Sequence, residues 1–234
     1  MLQEHFFDSR EALVEALTDR CQQRLSDCVA ARGAASFYVS GGSTPELVYQ
    51  ALSARPLPWS KVSIAMVDER WVSVDHPRSN EAFLNRCLRI NHAAQAPFVG
   101  MSNAAATPCD GWEACEAEYR ALPEVAGICI LGMGGDGHTA SFFPHAEGLE
   151  NALQSDAAVA ALTAQRSDVT GDEVQRMTMT LAAIEASGEI VLLITGQDKL
   201  DVYRQALAAG EVADMPVRAV LQQSKTPVHV YWAA

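Results

Sequence analysis

Continuous apolar runs alternate along this chain with longer stretches in which apolar residues recur every third or fourth position. The runs Ser36 to Val39, Val62 to Val67, Ile128 to Leu131, Glu189 to Ile194 and Pro227 to Trp232 read as strands. Their near-unbroken hydrophobicity fits strands covered on both faces, as in a parallel sheet. Between them lie helical patterns. Leu13, Leu17, Cys21, Leu25, Cys28 and Val29 form one stripe, opened by Asp8 with Glu11 as a capping box and stopped by Gly33. Pro45 to Ala54, with proline in its first turn, about Ser79 to Ile90, a stretch opened by Asp110, and about Asp198 to Ala209 with Gly210 as its stop are the others. The alternation predicts an α/β fold of three layers on a Rossmann-like, mostly parallel sheet, as a single domain over residues 1–234. The Pro227–Trp232 run is expected to close that sheet. Residues 145–175 show no readable period and are read as a mobile flap. No internal repeat, low-complexity linker or domain boundary interrupts the pattern.

Composition narrows the class. With 49% hydrophobic and 20% charged residues, the chain has the make-up of an ordinary globular enzyme. No run approaches the roughly 18 apolar residues that span a bilayer, so no membrane partner is expected. Met1-Leu2-Gln3-Glu4-His5 lacks the basic-then-apolar order of a secretory signal. A net charge of −12 argues against nucleic acid, whose phosphates require basic surface. It leaves room for a small anion, because a few local cations can dominate a cleft. The six cysteines form no Cys-x-x-Cys pair and none stands at zinc-site spacing from histidine. Reduced thiols, a cytoplasmic location and no metal are the expectations.

Four segments place polar or glycine residues at the C-terminal ends of predicted strands, where open parallel sheets bind ligands. Ser40-Gly41-Gly42-Ser43-Thr44-Pro45 offers close backbone approach, hydroxyl donors and a helix N-terminus to an anion, or else a plain turn with a helix cap. It lacks the lysine of a nucleotide P-loop. Asp68-Glu69-Arg70 is either a solvated loop or an arginine aimed at an anion with carboxylates on sugar hydroxyls. In the third segment, Gly132, Gly134 and Gly137 fit G-x-G-x-x-G, yet Phe142-Phe143-Pro144 arrives where a dinucleotide site needs a sustained helix. That segment also sets Asp136 beside His138, the side chain that titrates near neutrality: a general base or a structural histidine. Arg176 and Lys199 complete the set, as surface cations or as a pair neutralising a phosphate. His5, His76, His92, His145 and His229 show no metal-ligand spacing; His76 and His145 sit in loops that could border the cleft.

Taken in order, Ser40 to Pro45, Asp68-Glu69-Arg70-Trp71-Val72 with Ser79-Asn80, Gly132 to Ser141, and Thr195-Gly196-Gln197-Asp198-Lys199 resemble the 6-phosphogluconolactonase family from about residue 36 to the C-terminus. The Gly-Asp-Gly-His motif is shared with glucosamine-6-phosphate deaminases, whose fold the resemblance implies here too. Deaminases continue with Ala-Phe-Asn-Glu-Pro. Here the run is Ala140-Ser141-Phe142-Phe143-Pro144, so Phe143 replaces the proton-handling glutamate, and Arg70 stands where deaminases usually have tyrosine. Phe142 replaces the leucine common in lactonases, which touches only fine pocket shape.

The resemblance implies a phosphorylated sugar lactone as substrate. His138 would be the base, with Asp136 orienting it or holding a substrate hydroxyl. Backbone N–H groups of the glycine turn would face the oxyanion. Gly41, Gly42, Ser43, Thr44, Asp68, Arg70, Arg176 and Lys199 would bind substrate, with no cofactor and a monomer or weak homodimer. A sugar-phosphate deaminase or isomerase is the nearest alternative, and a noncatalytic sugar-phosphate sensor the alternative from another class.

Overall fold

The computed structural model describes residues 2–123 and 127–234. Its strands are β1 (Leu2–Phe7), β2 (Ala35–Val39), β3 (Val62–Met66), β4 (Asp68–Arg70), β5 (Phe98–Val99), β6 (Ile128–Leu131), β7 (Val159–Thr163), β8 (Gln175–Met179), β9 (Ile190–Thr195) and β10 (Val228–Ala233). The helices are α1 (Arg10–Arg32), α2 (Glu46–Ser53), α3 (Asn80–Cys87), α4 (Pro108–Arg120), α5 (Leu149–Gln154), α6 (Leu181–Glu185), α7 (Gln197–Leu207) and α8 (Val217–Gln222). Seven strands form one sheet in the order β1-β10-β9-β6-β2-β3-β5. Every pairing in it is parallel. A second sheet, β4-β8-β7, is antiparallel. None of the helices among the described residues is long and apolar enough to cross a membrane.

The core follows from the hydrophobic pattern. All of β6 is buried, as is β9 up to its last residue, because helices cover both faces of the sheet. The α1 stripe buries Leu13, Leu17, Cys21, Leu25 and Cys28 against β2, β6 and β10. Gly33 ends α1 in the left-handed conformation, φ 81°, with its N–H on the Val29 carbonyl. After β2 the chain builds outward to β3 and β5. At β6 it returns to the other side of β2 and then builds toward β9 and β10. The order therefore reverses between β2 and β6, and a crevice opens beyond their C-terminal ends. Val39 and Ile130 lie in register, so the loops after β2 and β6 emerge side by side. A hydrogen bond from Ser40 Oγ to the Ile130 carbonyl (2.7 Å) ties them together.

Several expectations are corrected. Leu2–Phe7 is a strand, so β10 has a neighbour on each side and does not close the sheet. Because β1 runs to Phe7, the cap of α1 is Ser9, which accepts from Ala12 N, and Glu11 falls one position short of a capping box. Thr107 and Pro108 start α4 two residues before Asp110, with Thr107 Oγ1 accepting from Asp110 N. The third helix stops at Cys87, and α7 ends at Leu207 with an extended Ala208, so Gly210 is not its cap. Instead Gly210 makes room for the Arg218 guanidinium, which a Cβ there would meet at 2.6 Å. Residues 145–175 hold α5, β7 and the start of β8 rather than one open flap.

Candidate active site

The residues after β6 make a tight turn in which the imidazole of His138 folds back over Gly134. A Cβ on Gly134 would lie 2.0 Å from His138 Nδ1, so only glycine permits the approach. Gly134 N donates to the His138 carbonyl (2.8 Å) and Gly137 N to the Gly134 carbonyl (3.2 Å). Asp136 Oδ1 accepts from the His138 amide (3.1 Å) and pairs with Nδ1 (2.6 Å). Burial pushes the Asp136 carboxyl up, and its bonds and charge contact with His138 outweigh this, holding it below the ordinary carboxylate range. With Asp136 ionised, Nδ1 carries the proton and Nε2 is left as the ring's acceptor. No sustained helix follows β6; the next is α5, so the glycine pattern lacks the context of a dinucleotide site.

A cleft of about 460 Å3 lies at the crevice. Gly41, Gly42, Ser43 and Thr44 line it together with Gly134, Gly135, His138, Asp68, Arg70, Arg176 and Lys199. All the predicted site residues meet there except Asp136. That carboxylate borders a separate depression with Asp214, Met215 and Arg218. Its role as orienter of His138 therefore has geometric support, and a direct bond to a substrate hydroxyl has none. The amides of Gly134 and Gly137 bond within the turn, so they are not available to an oxyanion; Gly135 lines the cleft.

The small sheet supplies the cations. Arg70 and Arg176 are directly opposite in the β4–β8 register. Two like charges so placed repel, and here the cleft lies beside them. Arg176 is 2% exposed, and the Nε atoms of both arginines are buried without a partner among the described residues. Burial first, then the charge of Arg70, pulls the Arg176 guanidinium down to about 10. Both guanidinium groups line the cleft and neither is ion-paired among the described residues, which favours an anion at this place. Burial likewise lowers the Lys199 ammonium, against the pull of Asp136 and Asp198.

The two carboxylates after β3 separate in role. Asp68 lines the cleft, with Oδ2 accepting from Ser141 Oγ (2.6 Å) and its carbonyl accepting from Asn80 Nδ2 (2.9 Å). Glu69 is 1% exposed and turned away, accepting from Arg70 N, Asn80 N, Glu81 N and Ser79 Oγ. It anchors the first turn of α3, although burial raises its carboxyl above the usual range.

Residues not singled out as site residues by the sequence reading also enter. Asn80 lines the cleft, and its amide occupies the space that a side chain at residue 41 would take: a Cβ on Gly41 would lie 1.9 Å from Asn80 Oδ1. Arg78, outside the cleft, donates to the Thr170 carbonyl (2.8 Å) and pairs with Glu173 (2.6 Å). Phe143 lines the cleft, whereas Phe142 is fully buried in the core and does not, so the Leu-to-Phe departure leaves the pocket wall alone. His76 accepts from Arg78 N, and His145 pairs with Asp214; neither borders the cleft.

A family model described as glucosamine-6-phosphate isomerases/6-phosphogluconolactonase matches residues 8–232. The chain is 40% identical over 229 residues to a 6-phosphogluconolactonase of Rhizobium meliloti, covering 98% of this chain and 97% of that one. It is 41% identical to a 6-phosphogluconolactonase of Mesorhizobium japonicum, covering 97% and 93%. The crystal structure of a 6-phosphogluconolactonase from Shewanella baltica superposes with a TM-score of 0.94 at 40% identity, covering 100% and 98%. A monomeric glucosamine-6-phosphate deaminase, at 18% identity and a TM-score of 0.79, shares the fold. The turn, the crevice and these likenesses agree: the chain belongs to the glucosamine-6-phosphate isomerase/6-phosphogluconolactonase family.

Proposed function

We propose that the chain hydrolyses 6-phospho-D-glucono-1,5-lactone to 6-phospho-D-gluconate, the hydrolytic step of the oxidative pentose phosphate route, with His138 as general base. The observation that carries this reading is one cleft holding both a histidine whose Nδ1 is fixed by a carboxylate and a pair of arginines with unpartnered buried donors. Gly41, Gly42, Ser43 and Thr44, with Arg70, Arg176 and Lys199, hold the phosphate, which carries about −1.5 to −2 charges near neutrality. Asp68, oriented by Ser141, takes a sugar hydroxyl. His138 Nε2 removes a proton from water as that water attacks the lactone C1 carbonyl, and the imidazolium returns it to the departing ring oxygen. Base assistance of this kind contributes about 10²–10⁴ in rate. A six-membered lactone is an activated ester, so no covalent intermediate is needed.

Phe143 lines the cleft at the position where deaminases carry an ionisable glutamate, which favours hydrolysis over amine removal. The deciding experiment gives the purified protein the phosphorylated lactone and glucosamine 6-phosphate in parallel. Turnover of the lactone alone is expected. Turnover of the amino sugar alone, or of neither, overturns the reading.

A further inference from the structure

Phe143 touches the working groups at both ends of the cleft. Its ring lies 4.3 Å from the His138 ring, centroid to centroid, at an interplanar angle of 32°. The Arg176 guanidinium carbon stands 5.2 Å from the same ring's centroid. The phenylalanine itself is firmly placed. It is 5% exposed, its N–H donates to the Ser141 carbonyl (2.9 Å), and its carbonyl accepts from Ala146 N (3.2 Å). The fully buried Phe142 precedes it, and Pro144, with its fixed φ, follows.

Both neighbours need such a support. The Asp136 bond fixes one atom of the His138 ring, and a single hydrogen bond leaves the ring free to pivot about it. A flat apolar wall against the imidazole removes that freedom. Arg176 makes one side-chain hydrogen bond among the described residues, Nη2 to the Thr170 carbonyl at 3.2 Å. Arg70 and Arg78 repel it, and the pull of Asp68 and Glu69 comes with no hydrogen bond or ion pair to either among those residues. A cation over an aromatic face is attracted to it, most strongly where water is excluded.

We propose that Phe143 is a positioning residue for both halves of the reaction: it sets the plane of the His138 imidazole and props the Arg176 guanidinium toward the bound anion. The proposal rests on the lactonase reading for its kinetic arm and stands apart from it in its binding arm. Through His138 the ring acts on kcat; through Arg176 it acts on KM and on anion affinity.

The test compares Phe143→Leu with Phe143→Tyr, each in the native and the Arg176→Ala backgrounds. Phe143→Leu is expected to lower kcat about tenfold, since small misplacements of reacting groups are costly. It is also expected to raise KM about fivefold by loss of the cation–ring contact. Phe143→Tyr, which keeps the ring, restores both to within about threefold of native. In the Arg176→Ala background, Phe143→Leu still lowers kcat but no longer moves KM. Inorganic phosphate affinity, read by calorimetry, follows KM: weakened by Phe143→Leu in the native background and unchanged by it without Arg176. An equal KM or phosphate effect in both backgrounds, a Tyr variant no better than Leu, or native kinetics in folded Phe143→Leu overturns the proposal. Should Phe143→Leu fail to fold, Phe143→Met replaces it with the same expected outcomes. If the native protein turns over no lactone while the phosphate results hold, the activity falls and the support of Arg176 stands.

Discussion

The glycine turn after β6 and the arginine pair on β4 and β8 border one cleft, yet they hold their working groups by opposite means. In the turn, Gly134 and Asp136, two to four positions away, place one edge of the His138 ring, and Phe143, five positions on, lies against its face. The arginines are brought together by strand register across more than a hundred residues, and Arg70 and Arg176 repel each other once there. The turn is a satisfied structure with one acceptor left over. The arginine pair is only partly satisfied: Arg70 Nη1 donates to the Arg78 carbonyl and Arg176 Nη2 to the Thr170 carbonyl, while both Nε atoms lack acceptors among the described residues. A local, satisfied element suits a group that must not move during proton transfer. A dispersed, partly satisfied one suits a group whose partner arrives with the substrate.

That contrast predicts where each substitution registers. His138→Ala is expected to lower kcat by at least about 10²-fold with circular dichroism unchanged; near-native turnover removes the general base from the mechanism. Gly134→Ala, whose Cβ would fall 2.0 Å from Nδ1, displaces the ring. Its kcat is expected to fall about 10- to 100-fold while KM stays nearly constant. Arg176→Ala should mainly raise KM, about tenfold, by removing binding common to ground and transition states. If steady-state kinetics showed the turn variant altering KM and the arginine variant altering kcat, the division would be reversed.

The smallest effect sharpens the picture at Lys199. Only the ammonium form attracts phosphate, and burial lowers its hold on the proton. KM is therefore expected to be flat at neutral pH and to rise on the alkaline side earlier than an ordinary lysine would dictate. Lys199→Arg, which keeps its charge there, should move the onset of the rise in a KM–pH profile to higher pH, leaving the part that Arg176 contributes near about 10. An unaltered profile in that variant assigns the alkaline limb to another group.

The same contrast explains what could be read from the sequence. Strands β2, β3, β6, β9 and β10 were legible because each is a continuous apolar run, as double-sided burial demands. β1 was not. Leu2-Gln3-Glu4-His5-Phe6-Phe7 is an edge strand, half polar, with Glu4 committed to the Tyr203 hydroxyl and His5 to His229. β7 and β8 belong to a small antiparallel sheet; β7 carries no strong period, and β8 shows only the short alternation Met177-Thr178-Met179, continued by Thr180. The turn was legible because its bonds are local and each is made by a residue type suited to it. Arg70, Arg176 and Lys199 could be proposed as cations near a sheet end, but not as a register. The Thr170 carbonyl, which accepts from both Arg78 and Arg176, had no signal at all, since every residue has a carbonyl. Phe143 read as the absence of a glutamate, and its two ring contacts emerge only in three dimensions.

The pairing of β1 with β10 has a consequence for assembly. His5 and His229 meet across 224 positions of chain, and among the described residues β1 has no other strand beside it. During translation β1 must wait for β10, which is made more than two hundred residues later, while β2 and β3 can already dock. Amide exchange should find Leu2–Phe7 opening more readily than the buried centre of the sheet, as the seam where the molecule is finished last and comes apart first.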